Sequence, residues 1–140
     1  MRVSTKGRYA LRLMLDLALN SDGQAVPLRD VAERQGISDK YLEQIVTQLI
    51  RAGLVRSVRG AGGGYLLTRA PEDYTVGEIL RPLEGSMAPV ECAEGAGCCQ
   101  RLDHCVTVEV WQAIHQAVDQ VVDSITLEDL VRRYREKCDS

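Results

Sequence analysis

A mainly α-helical fold with one small β-hairpin is predicted by three features of this 140-residue sequence. Two short helical segments meet at Gln35-Gly36-Ile37, two strand-like runs flank Gly60-Ala61-Gly62-Gly63, and a long apolar stripe follows a cysteine-crowded loop. Together they predict a winged helix-turn-helix followed by a long C-terminal dimerisation helix.

Taken in order, Ser4-Thr5 supplies N-cap residue types for an apolar helix over residues 4–20, rich in leucine and stopped near Asn20-Ser21-Asp22-Gly23. Pro27 suits the first turn of a second helix running to Arg34 and closed by Gly36. Ser38 then caps a third helix, in which Tyr41, Leu42, Ile45, Leu49 and Ile50 recur at helical spacing until Gly53. The runs Leu54–Arg59 and Gly64–Thr68 read as a hairpin with a loose glycine tip. Pro71 breaks the chain, and Thr75-x-x-Glu78 is a capping box that opens a short helix to about Leu83.

Gly85 to Cys105 reads as an irregular loop. Beyond it, Trp111, Ile114, Val118, Val121 and Ile125 alternate at three and four residues, a coiled-coil-like stripe that suits a dimer seam. Thr126-x-x-Asp129 can cap a last helix over Leu127 to about Glu136. These elements divide the chain into a winged helix-turn-helix domain (1–84), a cysteine-rich loop (85–105), and a dimerisation helix with a C-terminal helix (106–140).

The net charge of −3 hides an asymmetry, since residues 1–69 carry +5 and residues 70–140 carry −8. A basic first half suits a phosphate backbone, and an acidic second half suits the side facing away from it. No apolar run is long enough to span a bilayer, and no secretory leader pattern is present, which predicts a soluble, cytoplasmic protein without a membrane partner. Neither a nucleophile–base set nor a cofactor fingerprint of an enzyme is found.

The third helix is expected to turn Asp39, Lys40, Glu43, Gln44, Thr47 and Gln48 outward, as a helix lying in the major groove of double-stranded DNA would. Gln44 can pair bidentately with adenine, and Lys40 can reach guanine or phosphate. Glu43 is repelled by phosphates but can accept from cytosine N4, which makes it a specificity filter. Arg59, beside the wing-tip Gly60, is placed to enter the minor groove. Lys6, Arg8 and Arg56 are candidate phosphate contacts, although an ordinary solvated charge explains Arg8 or Arg56 equally well.

Four of the five cysteines, Cys92, Cys98, Cys99 and Cys105, fall within fourteen residues. Inside a cell such crowding favours metal or redox chemistry over structural disulfides, because thiolates are soft ligands for iron–sulfur groups, zinc or copper(I). A reversible thiol switch and a zinc site stay open on this reading. Cys138 reads as a bystander, and His115 as a surface or seam residue.

Several segments resemble the Rrf-type winged-helix transcription regulators, and within them the IscR branch that regulates iron–sulfur cluster assembly. They are Ser4–Ala10, Gln35-Gly36-Ile37-Ser38 with Tyr41-Leu42-Glu43-Gln44, Gly53-Leu54-Val55, Ser57-Val58-Arg59-Gly60 with Gly62–Leu67, Val76-Gly77-Glu78-Ile79, the cysteine loop, and Ile125-Thr126-Leu127. The resemblance implies a homodimeric repressor-type regulator of palindrome-like operators, with Tyr41, Glu43, Gln44 and Arg59 at the DNA; Ser38, at the start of the third helix, is a further candidate contact. It also implies an iron–sulfur cluster, 2Fe–2S first and 4Fe–4S as in the nitric-oxide-sensing relatives second. The family's three-cysteine pattern is matched by Cys92, Cys99 and Cys105, with Cys98 as the alternative to Cys99. Where the branch has a histidine three residues after its last cysteine, this chain has Val108. That leaves His104, Glu109, Cys98 or a residue of the other subunit as fourth-ligand candidates. The cysteine-metabolism relatives imply the other reading, a regulator controlled by thiol oxidation, nitric oxide or a protein partner.

Overall fold

The computed structural model describes residues 2–94 and 104–138. Six α-helices and one two-stranded antiparallel sheet run in the order α1 (Thr5–Asn20), α2 (Leu28–Gln35), α3 (Asp39–Arg51), β1 (Val55–Val58), β2 (Gly64–Leu67), α4 (Val76–Glu84), α5 (Thr107–Ser124) and α6 (Leu127–Cys138). The predicted mainly α class with a hairpin wing is what is observed.

The ends of these helices follow from local chemistry. Ser4 accepts from the Gly7 N–H and Ser38 from the Tyr41 N–H, so each hydroxyl satisfies one of the orphan donors of a first turn. Gly36 closes α2 in the left-handed region and turns the chain into α3. Both halves of the Thr75/Glu78 capping box form at α4. Thr126 and Asp129 exchange the same pair of bonds ahead of α6, and the backbone N–H from Thr126 holds the Asp129 carboxyl below its ordinary range.

In the wing, Val55 pairs with Leu67 and Val58 with Gly64, and Val26 forms a further antiparallel bridge to Tyr65. The core gathers Leu13 and Leu17 of α1, Leu42, Ile45 and Leu49 of α3, and Ile79 of α4. With no phenylalanine in the chain, its largest fully buried side chain is Tyr74. Leu127 of α6 is also completely buried in this core. It arrives there because Val76 donates to the Ile125 carbonyl at 2.9 Å and Leu127 to the Tyr74 carbonyl at 3.0 Å. These two bonds stitch the start of α4 to the α5–α6 junction, and α6 packs on α1.

Three details depart from expectation. Ile50 lies at the exposed margin of α3, and Val46 takes a place in the core instead: the two are one turn apart, with Ile50 about 40° further round the helix from the buried stripe. Gln48 is half-buried, and its Oε1 has no hydrogen-bond partner among the described residues. The loop after α4 contains a 3-10 turn at Glu91–Glu94 rather than being irregular throughout.

α1 and α4 meet through Gly7, where the Glu84 carboxylate accepts from the Ser4 N–H at 2.9 Å and from the Ser4 hydroxyl at 2.6 Å. A Cβ on Gly7 would lie 1.9 Å from Glu84 Oε1. Gly7→Ala must therefore swing that flexible carboxylate away and lose its bonds to Ser4. The expected cost is about 1 kcal/mol, read as a drop in melting temperature of roughly 3 °C. Because alanine favours a helix over glycine by up to about 1 kcal/mol, an unchanged melting temperature would show that the Glu84 contact contributes no more than that gain.

Candidate nucleic-acid interface and cysteine site

Capping by Ser38 fixes where α3 starts, and the helix period then decides what faces out. Ser38, Lys40, Glu43 and Gln44 are exposed on the first two turns, opposite buried Leu42, Ile45 and Val46. Tyr41 is half-buried, its ring edge-to-face on Tyr9 with centroids 5.7 Å apart. Arg12 lies over the same Tyr9 ring and also donates to Gln35 Oε1 at 3.0 Å, which joins α1 to the end of α2. The turn between α2 and α3 is thus braced from below while its outer residues stay solvated.

A second brace, not anticipated from the sequence, is Asp16. This carboxylate is buried in α1 and receives a bidentate Arg34 guanidinium (3.0 and 2.7 Å) and the Gln35 amide (2.9 Å). A buried carboxylate is tolerable because it is charge-paired and hydrogen-bonded. Its one sequence signal is an acid inside an otherwise apolar helical stripe.

On the wing, Arg56 and Arg59 are both exposed, Arg56 on β1 and Arg59 at the end of the strand. The tip closes through a bond from the Gly63 N–H to the Gly60 carbonyl at 2.9 Å. At the start of α1, Lys6 is half-buried and Arg8 is exposed, donating to Thr5 Oγ1 at 3.0 Å. Each of these cations can reach a phosphate, and the α3 face can present a carboxylate and an amide to base edges.

The cysteine site is built from two ends of one loop. Cys92 lies half-buried in the 3-10 turn Glu91–Glu94, and that turn packs on α5. Cys105 lies two residues before α5, with its Sγ 3.1 Å from Thr107 Oγ1. Both thiol-bearing segments therefore adjoin one helix, the first by packing on α5 and the second by leading into it. Cys98 and Cys99 lie outside the described residues, and among the described residues no group of three metal-ligating side chains forms. Half-buried thiols at both ends of the loop fit a soft, sulfur-ligated group such as an iron–sulfur cluster. Val108 does not add to the donor set, being 5% exposed and packed inward on α5. Glu109 and His104 are both exposed.

The opposite side of α5 is apolar and uncovered. Val106, Val110, Trp111 and Val121 are exposed, Trp111 at 36% and Val121 at 55%. His115 is on neither an open surface nor this stripe: it is half-buried beside Asp119, with Nε2 3.5 Å from the carboxylate. Asp119 and Asp123 in turn hold Arg81 of α4, whose fork reaches Asp123 at 2.7 and 2.9 Å and Asp119 at 3.2 Å. The Arg81 hydrogen bonds push the Asp123 carboxyl below its ordinary range. Cys138 is exposed at the end of α6. Among the described residues no helix is long and apolar enough to cross a membrane.

Comparison with known proteins agrees with this geometry. The family model of Rrf2, described as an iron-dependent transcriptional regulator, matches residues 3–133. The HTH-type transcriptional regulator IscR of Escherichia coli is 46% identical over 131 residues, covering 94% of this chain and 80% of the relative. The structure of T. potens IscR superposes with a TM-score of 0.81 at 44% identity, over 98% of this chain and 90% of that one. CymR, the global cysteine regulator of B. subtilis, also gives a TM-score of 0.81, at 41% identity over 95% of this chain and 98% of that one.

Proposed function

The chain belongs to the Rrf2 family of iron-dependent transcriptional regulators, and from that premise we propose that it reads palindrome-like DNA as a homodimer under the control of an iron–sulfur cluster. It is a DNA-binding transcription regulator, not an enzyme. In the proposed complex α3 enters the major groove, with Glu43 and Gln44 at base edges and Ser38, Lys40 and Tyr41 at its leading end. Arg59 reaches the minor groove, while Lys6, Arg8 and Arg56 hold phosphates. The exposed Val110, Trp111 and Val121 of α5 supply the seam between two copies.

Cys92, Cys99 and Cys105 are the proposed ligands, with Cys98 as the alternative to Cys99. Because Val108 is buried and apolar, the fourth donor comes from elsewhere, and His104 and Glu109 are the exposed candidates nearest Cys105. When bound, a 2Fe–2S cluster, or a 4Fe–4S cluster in its place, would supply a group whose presence depends on iron and oxidants. The chain's own part is to tie Cys92 and Cys105 to α5, so that loop order bears on the helix that joins the two reading heads. That convergence on α5 is the observation that carries the reading. Genes of iron–sulfur cluster assembly are the proposed targets, in a cytoplasmic setting.

Protein purified without oxygen is expected to be brown, with stoichiometric iron and sulfide per chain. Cys92→Ala should be colourless yet still bind at least one operator class. If removing the cluster leaves affinity for every operator unchanged, cluster control is wrong. The likeness to CymR supports a second reading, in which thiol oxidation, nitric oxide or a protein partner is the signal. It predicts colourless wild-type protein that cannot be reconstituted and whose DNA binding responds to oxidant or partner.

A further inference from the structure

α4 packs on both the reading helix α3 and the long helix α5, so it is the layer through which the two helices are set relative to each other. Its contact with α5 includes a polar fork. Arg81 Nη1 and Nη2 meet the two oxygens of Asp123 at 2.7 and 2.9 Å, and Nη2 also meets Asp119 at 3.2 Å. The second oxygen of Asp119 is 3.5 Å from His115 Nε2, so this carboxylate is approached from two sides. Gly77, one turn before Arg81, lets the helices close on this fork. A Cβ there would lie 2.2 Å from Asp123 Oδ1 and 2.7 Å from Arg81 Nη1.

Arg81 and Asp123 are 38% and 45% exposed, and ion pairs that open to water contribute little to stability. What a bidentate guanidinium–carboxylate pair does supply is direction, since two parallel bonds fix both distance and angle. The uncovered apolar stripe lies on the same helix, so the angle at which α5 leaves α4 sets where a second reading head would stand. A two-fold DNA reader is selective for half-site separation to the extent that this angle is rigid.

We propose that Arg81 is a positioning residue that locks α5 to α4 through Asp123 and Asp119, and so determines which half-site spacing the dimer accepts. This rests on the reading of α5 as the dimer seam of a palindrome reader. The test uses duplexes selected by the wild-type protein from a randomised pool. Their half-site separation is then changed one base pair at a time, alongside a duplex with a single half-site.

Wild type should show one sharp optimum. Arg81→Gln, Arg81→Lys and Gly77→Ala should each lose roughly tenfold affinity at that spacing and bind neighbouring spacings more evenly. Half-site affinity, dimer elution volume and melting temperature should stay as in wild type. The lysine variant separates direction from charge, because it keeps the cation and loses the fork. A wild-type spacing profile in Arg81→Gln and Gly77→Ala would overturn the proposal. So would variants that lose half-site binding in step with melting temperature, because the residue would then be merely structural. A wild-type protein that is monomeric or has no spacing optimum would instead sink the underlying palindrome-reader reading, and this inference with it.

Discussion

Tyr74→Phe is expected to lower unfolding free energy by about 2–4 kcal/mol, more than its one missing oxygen suggests. The Tyr74 hydroxyl accepts from the N–H groups of Thr68 and Arg69, at 2.8 and 3.0 Å, and donates to the Leu54 carbonyl at 2.8 Å. Three backbone groups from two parts of the chain thus share one buried oxygen. Phenylalanine would keep the packing, including the Arg69 guanidinium over the ring, but would strand those groups. Each stranded group that water cannot reach costs about 1–3 kcal/mol. Leu54 leads into β1 and Thr68 follows β2, so the base of the wing should loosen first. Urea denaturation at one fixed protein concentration would measure the change. A loss below about 1 kcal/mol would mean that water replaces the hydroxyl and that Tyr74 matters only for its ring.

Arg59→Ala is expected to weaken operator binding by about 1–3 kcal/mol, or roughly five- to 150-fold, and to reduce the salt dependence by about one ion. Arg59 is exposed, immediately past β1, with a glycine turn behind it. Losing its side chain removes no core contact, so melting temperature should not move. The chromophore should not change either, because the cysteine-bearing turn packs on α5. Titrations at two salt concentrations against the selected operator would give both quantities. Wild-type affinity in the variant would remove the wing from the DNA interface and leave α3 as the reader.

Most of the fold was legible because its punctuation is local. Ser38 before α3, Gly36 after α2 and the Thr75/Glu78 pair before α4 are decided within four residues, and all three act as expected. Which residues at the margin of a helix face inward is decided by neighbours distant in sequence, and there the reading failed for Ile50 and Gln48. Ile50 and Val46 are equally apolar, but the core takes Val46 because α3 is turned by what it packs against. The Asp16–Arg34 pair and the Arg81–Asp123 fork join positions 18 and 42 residues apart, a separation that no window along one sequence can relate. Of the cysteine site, the clustering was legible. The convergence of Cys92 and Cys105 on α5 required the fold.

The stitch between Tyr74-Thr75-Val76 and Ile125-Thr126-Leu127 bears on how portable the reading head is. Residues 1–84 look like a module that could be exchanged between relatives, yet their core is completed by Leu127 from the far side of the long helix. A chimera joined at residue 84 would graft the head onto a foreign plug. Matching junctions would have to be cut twice, once after α4 and once before α6, so that the head travels with its own Leu127. Recombination within such a family would then tend to shuffle the segment between those cuts, the sensor and seam, as a cassette inserted into a conserved frame.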